Sequence, residues 1–258
     1  MELTKEERLN KLLKILSEHQ KISTKELQAI MQVSISTLRR DLLDLEMTNS
    51  IRRTHGYVSL LEYSNVEMAY ATRRGKNENI KNRLCKKAAP LITNDQAIFL
   101  DGSSTLEFFP KYFANKSNLH VITNNINLAA EVNQLKNVEL SVLGGNLLYR
   151  SKSILGPRAI ADLQQNFRPN IAFISCSSLD AEGIYMANEE QKFLKKTVMQ
   201  CSEQTVLLVD HTKFNQKDYI LLSDYDSVSI KTIITDQLPP QEILETIQAN
   251  DIQLLLAE

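Results

Sequence analysis

Short apolar runs alternate with helix-like stretches from residue 97 to near the end of the chain. The apolar runs have the length of strands and lie at Ala97–Leu100, Val121–Ile122, Leu140–Leu143, Ile171–Ile174, Val206–Val209 and Ile233–Ile234. The helix-like stretches between them are Ser104–Phe113, Ile126–Val132, Pro157–Leu163 and Asn188–Met199. Strands that alternate with helices build mainly parallel sheets covered by helices. This part of the chain is therefore predicted to fold as an α/β domain.

The chain before Gly56 contains no glycine, and its apolar spacing predicts three helices. A capping box starts the first helix, predicted over Lys5–Glu18, in which leucines recur at i, i+3, i+4 and i+7. A second capping box opens a helix of about two turns that ends near Gln32–Val33. A third helix begins near Ser34 or Ser36 and turns three leucines inward.

A short hairpin is predicted after the third helix. The segment Ser50–Ser59 alternates around Gly56 and is rich in β-branched and aromatic residues, as strands of hairpins are. Three helices with a tight second connection, followed by a hairpin, make a winged helix-turn-helix. We therefore predict a DNA-binding domain over residues 1–60, a linker over 61–78 and an effector-sensing α/β domain over 79–258.

The third helix carries side chains suited to reading DNA. If its leucines face the core, the helical rotation of about 100° per residue points Arg39 and Arg40 at solvent. Arginine binds guanine edges or phosphate, and hydroxyl groups at a helix start bind phosphate. The predicted DNA-binding residues are Ser34, Ser36, Thr37, Arg39, Arg40, Arg52, Arg53 and His55.

A competing interpretation treats Arg39 and Arg40 as part of a solvated helix surface. They would then form exposed ion pairs with Asp41 or Asp44, and such pairs contribute little free energy. The two arginines, however, lie between a short capped helix and the arginines of the predicted hairpin, and this combination favours DNA binding. Asp41 lies nearer the core and is expected to form an ion pair or a cap within the domain.

Charge and composition exclude several other classes of protein. The net charge is -1, and residues 1–60 contain ten Lys or Arg against eight Asp or Glu, too small an excess for a protein that coats DNA regardless of sequence. No apolar run approaches the length that spans a bilayer, and the charged N-terminal segment is unlike a signal peptide. We therefore expect a cytoplasmic protein. Three scattered cysteines argue against a disulfide framework and against a zinc site.

The segments Val33–Glu46 and Arg53–Gly56 resemble the signature of the DeoR family of bacterial sugar-metabolism regulators. They share its valine-serine pair, its Arg-Arg-Asp-Leu run, its Leu-Glu pair and a wing with arginine and histidine. Asn49 stands where glycine is usual, and Tyr57 replaces the second glycine of the wing. The resemblance implies a repressor that binds operator DNA. Symmetric operator binding needs at least a homodimer, or a higher homo-oligomer.

Polar segments follow the predicted strands of the α/β domain, where ligands bind in such sheets. Backbone amides and hydroxyl groups after the first strand suit a phosphate. Taken singly, each segment is more often an N-cap, a turn or a surface charge. Their order resembles that of the DeoR sensing domain, as does the spacing of Arg73, Asn77 and Lys81, which implies a phosphorylated sugar as effector. The predicted effector-binding residues are Asp101, Gly102, Ser103, Ser104, Thr105, Thr123, Asn124, Asn125, Gly144, Gly145 and Lys213. Gly102 and Ser103 are exchanged relative to the usual loop.

The DeoR sensing domain is related in fold to ribose-5-phosphate isomerase, and an isomerase with an appended DNA-binding domain is the alternative. Proton transfer between adjacent carbons needs a positioned carboxylate. The segment Ser175–Asp180 has hydroxyl and thiol groups where the enzyme has acidic residues, although Asp180, Glu189 and Glu190 remain as candidates. We therefore expect a regulator rather than an enzyme, with no catalytic residues, metal or cofactor.

Overall fold

The computed structural model describes residues 4–19, 21–47, 51–54, 56–60, 70–149, 151–216, 218–226 and 229–258. The chain divides into two compact units between Lys76 and Asn77. Each unit encloses its own hydrophobic core.

The N-terminal unit is a helical domain with a small sheet. Its elements are α1 (Lys5–Glu18), β1 (Ile22–Ser23), α2 (Thr24–Met31), α3 (Ile35–Met47), β2 (Ile51–Thr54), β3 (Tyr57–Leu60) and α4 (Tyr70–Gly75). Capping boxes start α1 and α2, as their sequences predict. Gln32 ends α2 in the left-handed conformation with a φ of 53°, which makes the tight turn into α3. The hairpin β2–β3 pairs with β1 to form a three-stranded sheet, so the unit is a helix-turn-helix with a wing.

The predicted linker, residues 61–78, falls partly outside the described residues. Its described part contains α4 and the first residue of the next helix. The division between the two compact units lies at the end of α4.

The C-terminal unit alternates strands and helices. Its strands are β4 (Ala97–Leu100), β5 (Leu119–Thr123), β6 (Val138–Val142), β7 (Asn146–Leu148), β8 (Ser153–Leu155), β9 (Ile171–Ile174), β10 (Ser178–Leu179), β11 (Ile184–Met186), β12 (Gln204–Leu208), β13 (Ile220–Ser223), β14 (Ile230–Thr235) and β15 (Gln253–Leu256). Its α-helices are α5 (Glu78–Ala88), α6 (Ile126–Val132), α7 (Pro157–Asn166), α8 (Glu189–Cys201) and α9 (Gln241–Ala249). Short 3-10 helices cover Ala89–Leu91, Leu106–Phe108, Pro110–Tyr112 and His211–Lys213.

A seven-stranded sheet forms the centre of this unit, in the order β15-β14-β12-β9-β4-β5-β6. All its neighbouring strands are parallel. Phe99 and Leu100, adjacent in β4, belong to different core clusters, because successive side chains of a strand point to opposite faces. The sheet is therefore covered on both faces. The strand order reverses between β4 and β9, and in such sheets this switch point is where ligands bind.

Several features of this unit differ from the sequence prediction. The stretch Ser104–Phe113 forms two short 3-10 helices rather than one longer helix, because Pro110 has no amide N–H to donate to the carbonyl of Leu106. The elements without a counterpart in the prediction are β7, β8, β10, β11, β13, β15, α5 and α9.

Candidate DNA interface and effector site

The start of α3 is dense in hydroxyl groups. The Ser34 Oγ atom accepts a hydrogen bond from the Thr37 backbone N–H at 3.1 Å and lies 2.8 Å from the hydroxyl oxygens of both Ser36 and Thr37. Ser34 thus caps the first turn, and three of the predicted DNA-binding residues form one hydrogen-bonded group at the helix N-terminus. The partial positive charge of a helix N-terminus favours an anion at this position.

Both exposed arginines of α3 lack an ion pair with another described residue. Asp41 is buried, and its two carboxylate oxygens accept from the Arg8 Nε and Nη2 atoms at 2.8 and 3.1 Å. Asp44 forms its ion pair with Lys5 of α1 at 2.7 Å. The carboxylates that could have neutralised Arg39 and Arg40 are therefore held by α1, and the expected ion pair of Asp41 is found.

The wing presents its arginines on strand β2. Arg52 and Arg53 are exposed, and the Arg53 Nη1 atom lies 3.5 Å from the Glu46 Oε2 atom. Gly56 has a φ of +83°, a conformation that glycine adopts without strain. Its carbonyl oxygen accepts from the Thr24 N–H at 2.8 Å and the Thr24 hydroxyl at 2.9 Å, which fixes the end of the wing to the start of α2. The predicted contact residue His55 lies outside the described residues.

Tyr57 keeps regular strand pairing although it stands where the family usually has glycine. It pairs with Thr54 in β2 and with Ser23 in β1. Its ring is partly exposed, and the Lys21 Nζ atom lies 4.7 Å from the ring centroid. The substitution therefore leaves the hairpin register intact.

In the C-terminal unit, Asp101 joins the two strands that flank the switch point. Its carboxylate accepts from the Ser175 N–H at the end of β9 at 2.9 Å and from the Ser103 N–H at 2.8 Å. It also forms an ion pair with Lys195 of α8. Asp101 and Lys195 are both buried. The predicted residue Asp101 therefore holds the ends of β4 and β9 together. Because Lys195 balances its charge, the Asp101 carboxylate repels a bound anion less than an unpaired carboxylate would.

Three lysines bring positive charge to the same edge. The Lys81 Nζ atom donates to the Ser104 Oγ atom at 3.2 Å. Burial raises the pKa of the Cys176 thiol, just beyond β9, to about 12, while Lys213 and Lys195 act in the opposite direction. Lys195 lies at this edge through its ion pair with Asp101, and Lys213 lies in the 3-10 helix after β12, the strand that pairs with β9. A phosphate group suits this combination of lysines and hydroxyl groups.

The predicted segment Thr123–Asn125 contacts the loop after β4. The Thr123 hydroxyl donates to the Leu100 carbonyl at 2.8 Å. The Asn125 Nδ2 atom donates to the Gly102 carbonyl at 3.3 Å, and the Asn125 Oδ1 atom accepts from the Asn127 and Leu128 amides in the first turn of α6. The segment therefore lies beside Gly102, where its side chains are held by hydrogen bonds to the backbone.

The predicted pair Gly144–Gly145 makes a different set of contacts. The Gly144 N–H donates to the Asp162 carboxylate at 2.7 Å. Gly145 has a φ of +146°, and a Cβ atom there would press on the side chains of Ile154 and Ala159. In the described residues these contacts are those of a packed turn between β6 and β7. The place of this pair in the effector site stays a prediction.

Lys195 was missed by sequence reasoning. It lies on the buried side of α8 together with Leu194 and Val198. One sequence signal could have predicted its burial. Lys195 precedes Met199 by four residues, so the two side chains share one face of the helix, and Met199 is buried.

The carboxylates available for isomerase chemistry are already engaged or exposed. The Asp180 Oδ1 atom accepts from the Glu182 and Gly183 amides and from the Tyr185 hydroxyl, at 2.9 to 3.1 Å. Asp180 therefore closes the turn between β10 and β11. Glu189 and Glu190 are exposed in the first turn of α8.

The described part of the chain contains neither a metal-binding cluster nor a membrane-spanning helix. No group of three or more His, Cys, Asp or Glu side chains there is arranged to hold a metal ion. Among the described helices, none has both the length and the apolar character needed to cross a membrane.

Comparison with known families identifies both units. Residues 8–63 match the DeoR-like helix-turn-helix domain, and residues 76–237 match the DeoR C terminal sensor domain. The chain therefore belongs to the DeoR family of transcription regulators, which confirms the resemblance seen in α3 and the wing.

Several relatives match nearly the whole chain. The HTH-type transcriptional repressor GlcR of Bacillus subtilis is 31% identical over 98% of this chain and 96% of its own length. The Glycerol-3-phosphate regulon repressor of Escherichia coli is 29% identical over 97% of this chain and 98% of its own length. The L-fucose operon activator of Haemophilus influenzae is 31% identical over 95% of this chain and 97% of its own length. These relatives are regulators rather than enzymes, and this chain is likewise a transcription regulator.

Solved structures show weaker likeness. A ribose 5-phosphate isomerase a from Methanocaldococcus jannaschii aligns with 55% of this chain and 56% of its own, at 18% identity and a TM-score of 0.39. The Pyrococcus horikoshii translation initiation factor eIF-2B aligns with 84% of this chain and 76% of its own, at 15% identity and a TM-score of 0.46.

Proposed function

We propose that this regulator represses a sugar-catabolism operon by binding operator DNA through α3 and the wing. Arg39 and Arg40 carry this proposal, because α1 engages the carboxylates beside them and leaves both guanidinium groups exposed. Arg52 and Arg53 add positive charge on the wing. Two copies related by symmetry would place two α3 helices on the half-sites of an operator.

The effector in this proposal is a phosphorylated sugar at the switch point of the C-terminal sheet. The lysines at this edge and the hydroxyl groups of the loop after β4 supply the charge and the donors for a phosphate. The relative named for the glycerol-3-phosphate regulon supports an effector of this class. The effector would act by shifting the population of arrangements that fit the operator.

A gel-shift experiment on DNA upstream of the protein's own gene tests the DNA-binding part. We expect the double variant Arg39→Ala, Arg40→Ala to lose sequence-specific binding while its circular dichroism spectrum is unchanged. Lys11→Ala is the matched control, because Lys11 is an exposed cation on α1, and it should bind as the wild type does. Undiminished specific binding by the double variant would refute the role of α3.

The same assay with a panel of sugar phosphates tests the effector part. We expect one member of the panel to change operator binding by the wild-type protein. Lys213→Ala should weaken that response without weakening DNA binding by the free protein, because Lys213 lies in the C-terminal unit, in the 3-10 helix after β12. Interconversion of an aldose and a ketose phosphate by the purified protein would support an enzyme instead.

A further inference from the structure

A cluster of neutral polar residues surrounds Gly102 on the side of the β7–β8 hairpin. We call it the neutral cluster, and it consists of Gly102, Ser103, Asn124, Ser151 and Ser153. A Cβ atom on Gly102 would overlap the Ser153 Oγ atom and lie 3.4 Å from the Asn124 Nδ2 atom. The Ser153 hydroxyl also donates to the Ser151 carbonyl at 3.3 Å. Three segments therefore meet at Gly102: the loop after β4, the loop after β5 and the hairpin.

Three buried oxygen atoms of the neutral cluster lack a hydrogen-bond partner among the described residues. They are the Ser103 Oγ, Asn124 Oδ1 and Ser151 Oγ atoms. Asn124 and Ser151 are buried. Most buried polar atoms in proteins are paired, because an unpaired one loses its bond to water without replacement. Three unpaired atoms on three adjoining segments therefore point to a molecule that pairs with them.

The orientation of the Asn124 amide defines the chemistry of that molecule. Its Nδ2 atom donates to the Ile154 carbonyl at 3.2 Å, and a carbonyl oxygen can only accept, so the free atom is the acceptor Oδ1. A phosphate oxygen offers an acceptor no hydrogen, whereas a hydroxyl group does. The two free serine hydroxyls can donate or accept. The free atoms of the cluster are thus complementary to hydroxyl groups.

The neutral cluster differs in charge from the lysines of the same site. None of its five members is ionisable, whereas Lys81 donates to Ser104, the next residue of the loop after β4. From this difference we infer that the neutral cluster binds hydroxyl groups on the carbon chain of the effector, while the phosphate lies beside Lys81 and Ser104. The inference rests on the proposed function and names the effector as a polyhydroxylated carbon chain with a phosphate. It adds the hairpin residue Ser151 to the predicted ligand contacts.

Binding measurements on the full-length protein test this inference. The probes are glycerol 3-phosphate, ribose 5-phosphate, fructose 6-phosphate and glucose 6-phosphate, with inorganic phosphate and propyl phosphate as probes that lack hydroxyl groups on carbon. Isothermal titration gives each affinity, and thermal unfolding without ligand gives the Tm. We expect at least one hydroxylated probe to bind about tenfold or more tightly than propyl phosphate, as one to two additional hydrogen bonds provide.

Ser151→Ala and Ser103→Ala are the test variants. Each should weaken the best hydroxylated probe by about five- to tenfold and leave the affinity for inorganic phosphate within about twofold. Neither should lower the Tm of the free protein, because each removes a hydroxyl without a partner among the described residues. Thr235→Val is the matched control. It also removes a buried hydroxyl that is unpaired in the described structure, but at the end of β14, and it should leave all affinities unchanged.

The outcomes separate the two proposals. If a hydroxylated probe binds the wild type but both serine variants bind it equally well, the neutral cluster is not a ligand site and the proposed function stands. If the wild type binds propyl phosphate as tightly as the best hydroxylated probe, the neutral cluster is likewise not a ligand site and the proposed function stands. A lower Tm in both serine variants, with unchanged affinity, assigns them a purely structural role. If no phosphorylated probe binds the wild type, the proposed effector class and the hydroxyl site both fail.

Discussion

Asp41 is almost fully buried, and its negative charge is balanced by Arg8, whose side chain is 20% exposed. Removing one partner of such a pair leaves an uncompensated charge. We expect Asp41→Ala to lower the free energy of unfolding of the N-terminal unit by about 2–4 kcal/mol, somewhat less than for a fully buried pair because water still reaches Arg8. Chemical denaturation followed by circular dichroism measures this change.

Asp44→Ala is the control for that prediction. The Asp44 pair with Lys5 is more exposed, at 33% and 58% of the two side chains, and an exposed pair contributes less than about 1 kcal/mol. A loss of stability in Asp44→Ala as large as in Asp41→Ala would contradict the distinction between the two pairs.

A contact between α2 and the wing holds these two elements together. Thr24 at the start of α2 donates both its amide and its hydroxyl to the Gly56 carbonyl. We expect Thr24→Val, which retains the amide and the side-chain shape, to lower stability by about 0.5–1.5 kcal/mol. It should also weaken operator binding, because the wing carries Arg52 and Arg53.

Gel-shift titration at a temperature where Thr24→Val remains folded checks this prediction. Unchanged affinity at that temperature would mean that the wing holds its position without the hydroxyl contact.

The elements that were predictable from sequence are those with local signals. Capping boxes and apolar periodicity located α1 and α2, and apolar runs located the central strands of the sheet. The β7–β8 hairpin and strand β15 were not predicted, because their residues alternate weakly and their pairing depends on distant parts of the chain. Pro110 carried a local signal against a long helix that the prediction did not use.

The candidate effector site was predictable to the extent that it follows strand ends. Asp101, Thr123 and Asn125 come together because parallel strands end at the same edge of a sheet. Lys195 and Ser151 reach the same region from α8 and from a hairpin, and only the packed fold places them there. Gly144–Gly145 lies in a packed turn between β6 and β7, and its part in effector binding stays a prediction.

The two units of the molecule have separate hydrophobic cores. The C-terminal unit has a complete seven-stranded sheet covered on both faces. We therefore expect residues 77–258 alone to fold cooperatively and to bind the same sugar phosphate as the full-length protein, with an affinity within about threefold.

Thermal unfolding and isothermal titration of that fragment provide the measurement. Operator binding should be absent in the fragment, because α3 and the wing are removed. A fragment that fails to fold would show that the sensing unit depends on residues 1–76.

The close approach of Gly102 to Ser153 has a consequence for how these two positions vary across species. A side chain at position 102 collides with the hydroxyl at position 153. The residue at one position therefore limits which residues fit at the other. The usual DeoR loop carries its glycine one residue later and therefore allows a side chain at the equivalent of 102. In such relatives we expect glycine or alanine at the equivalent of position 153 in the hairpin. The two positions should therefore covary among members of the family.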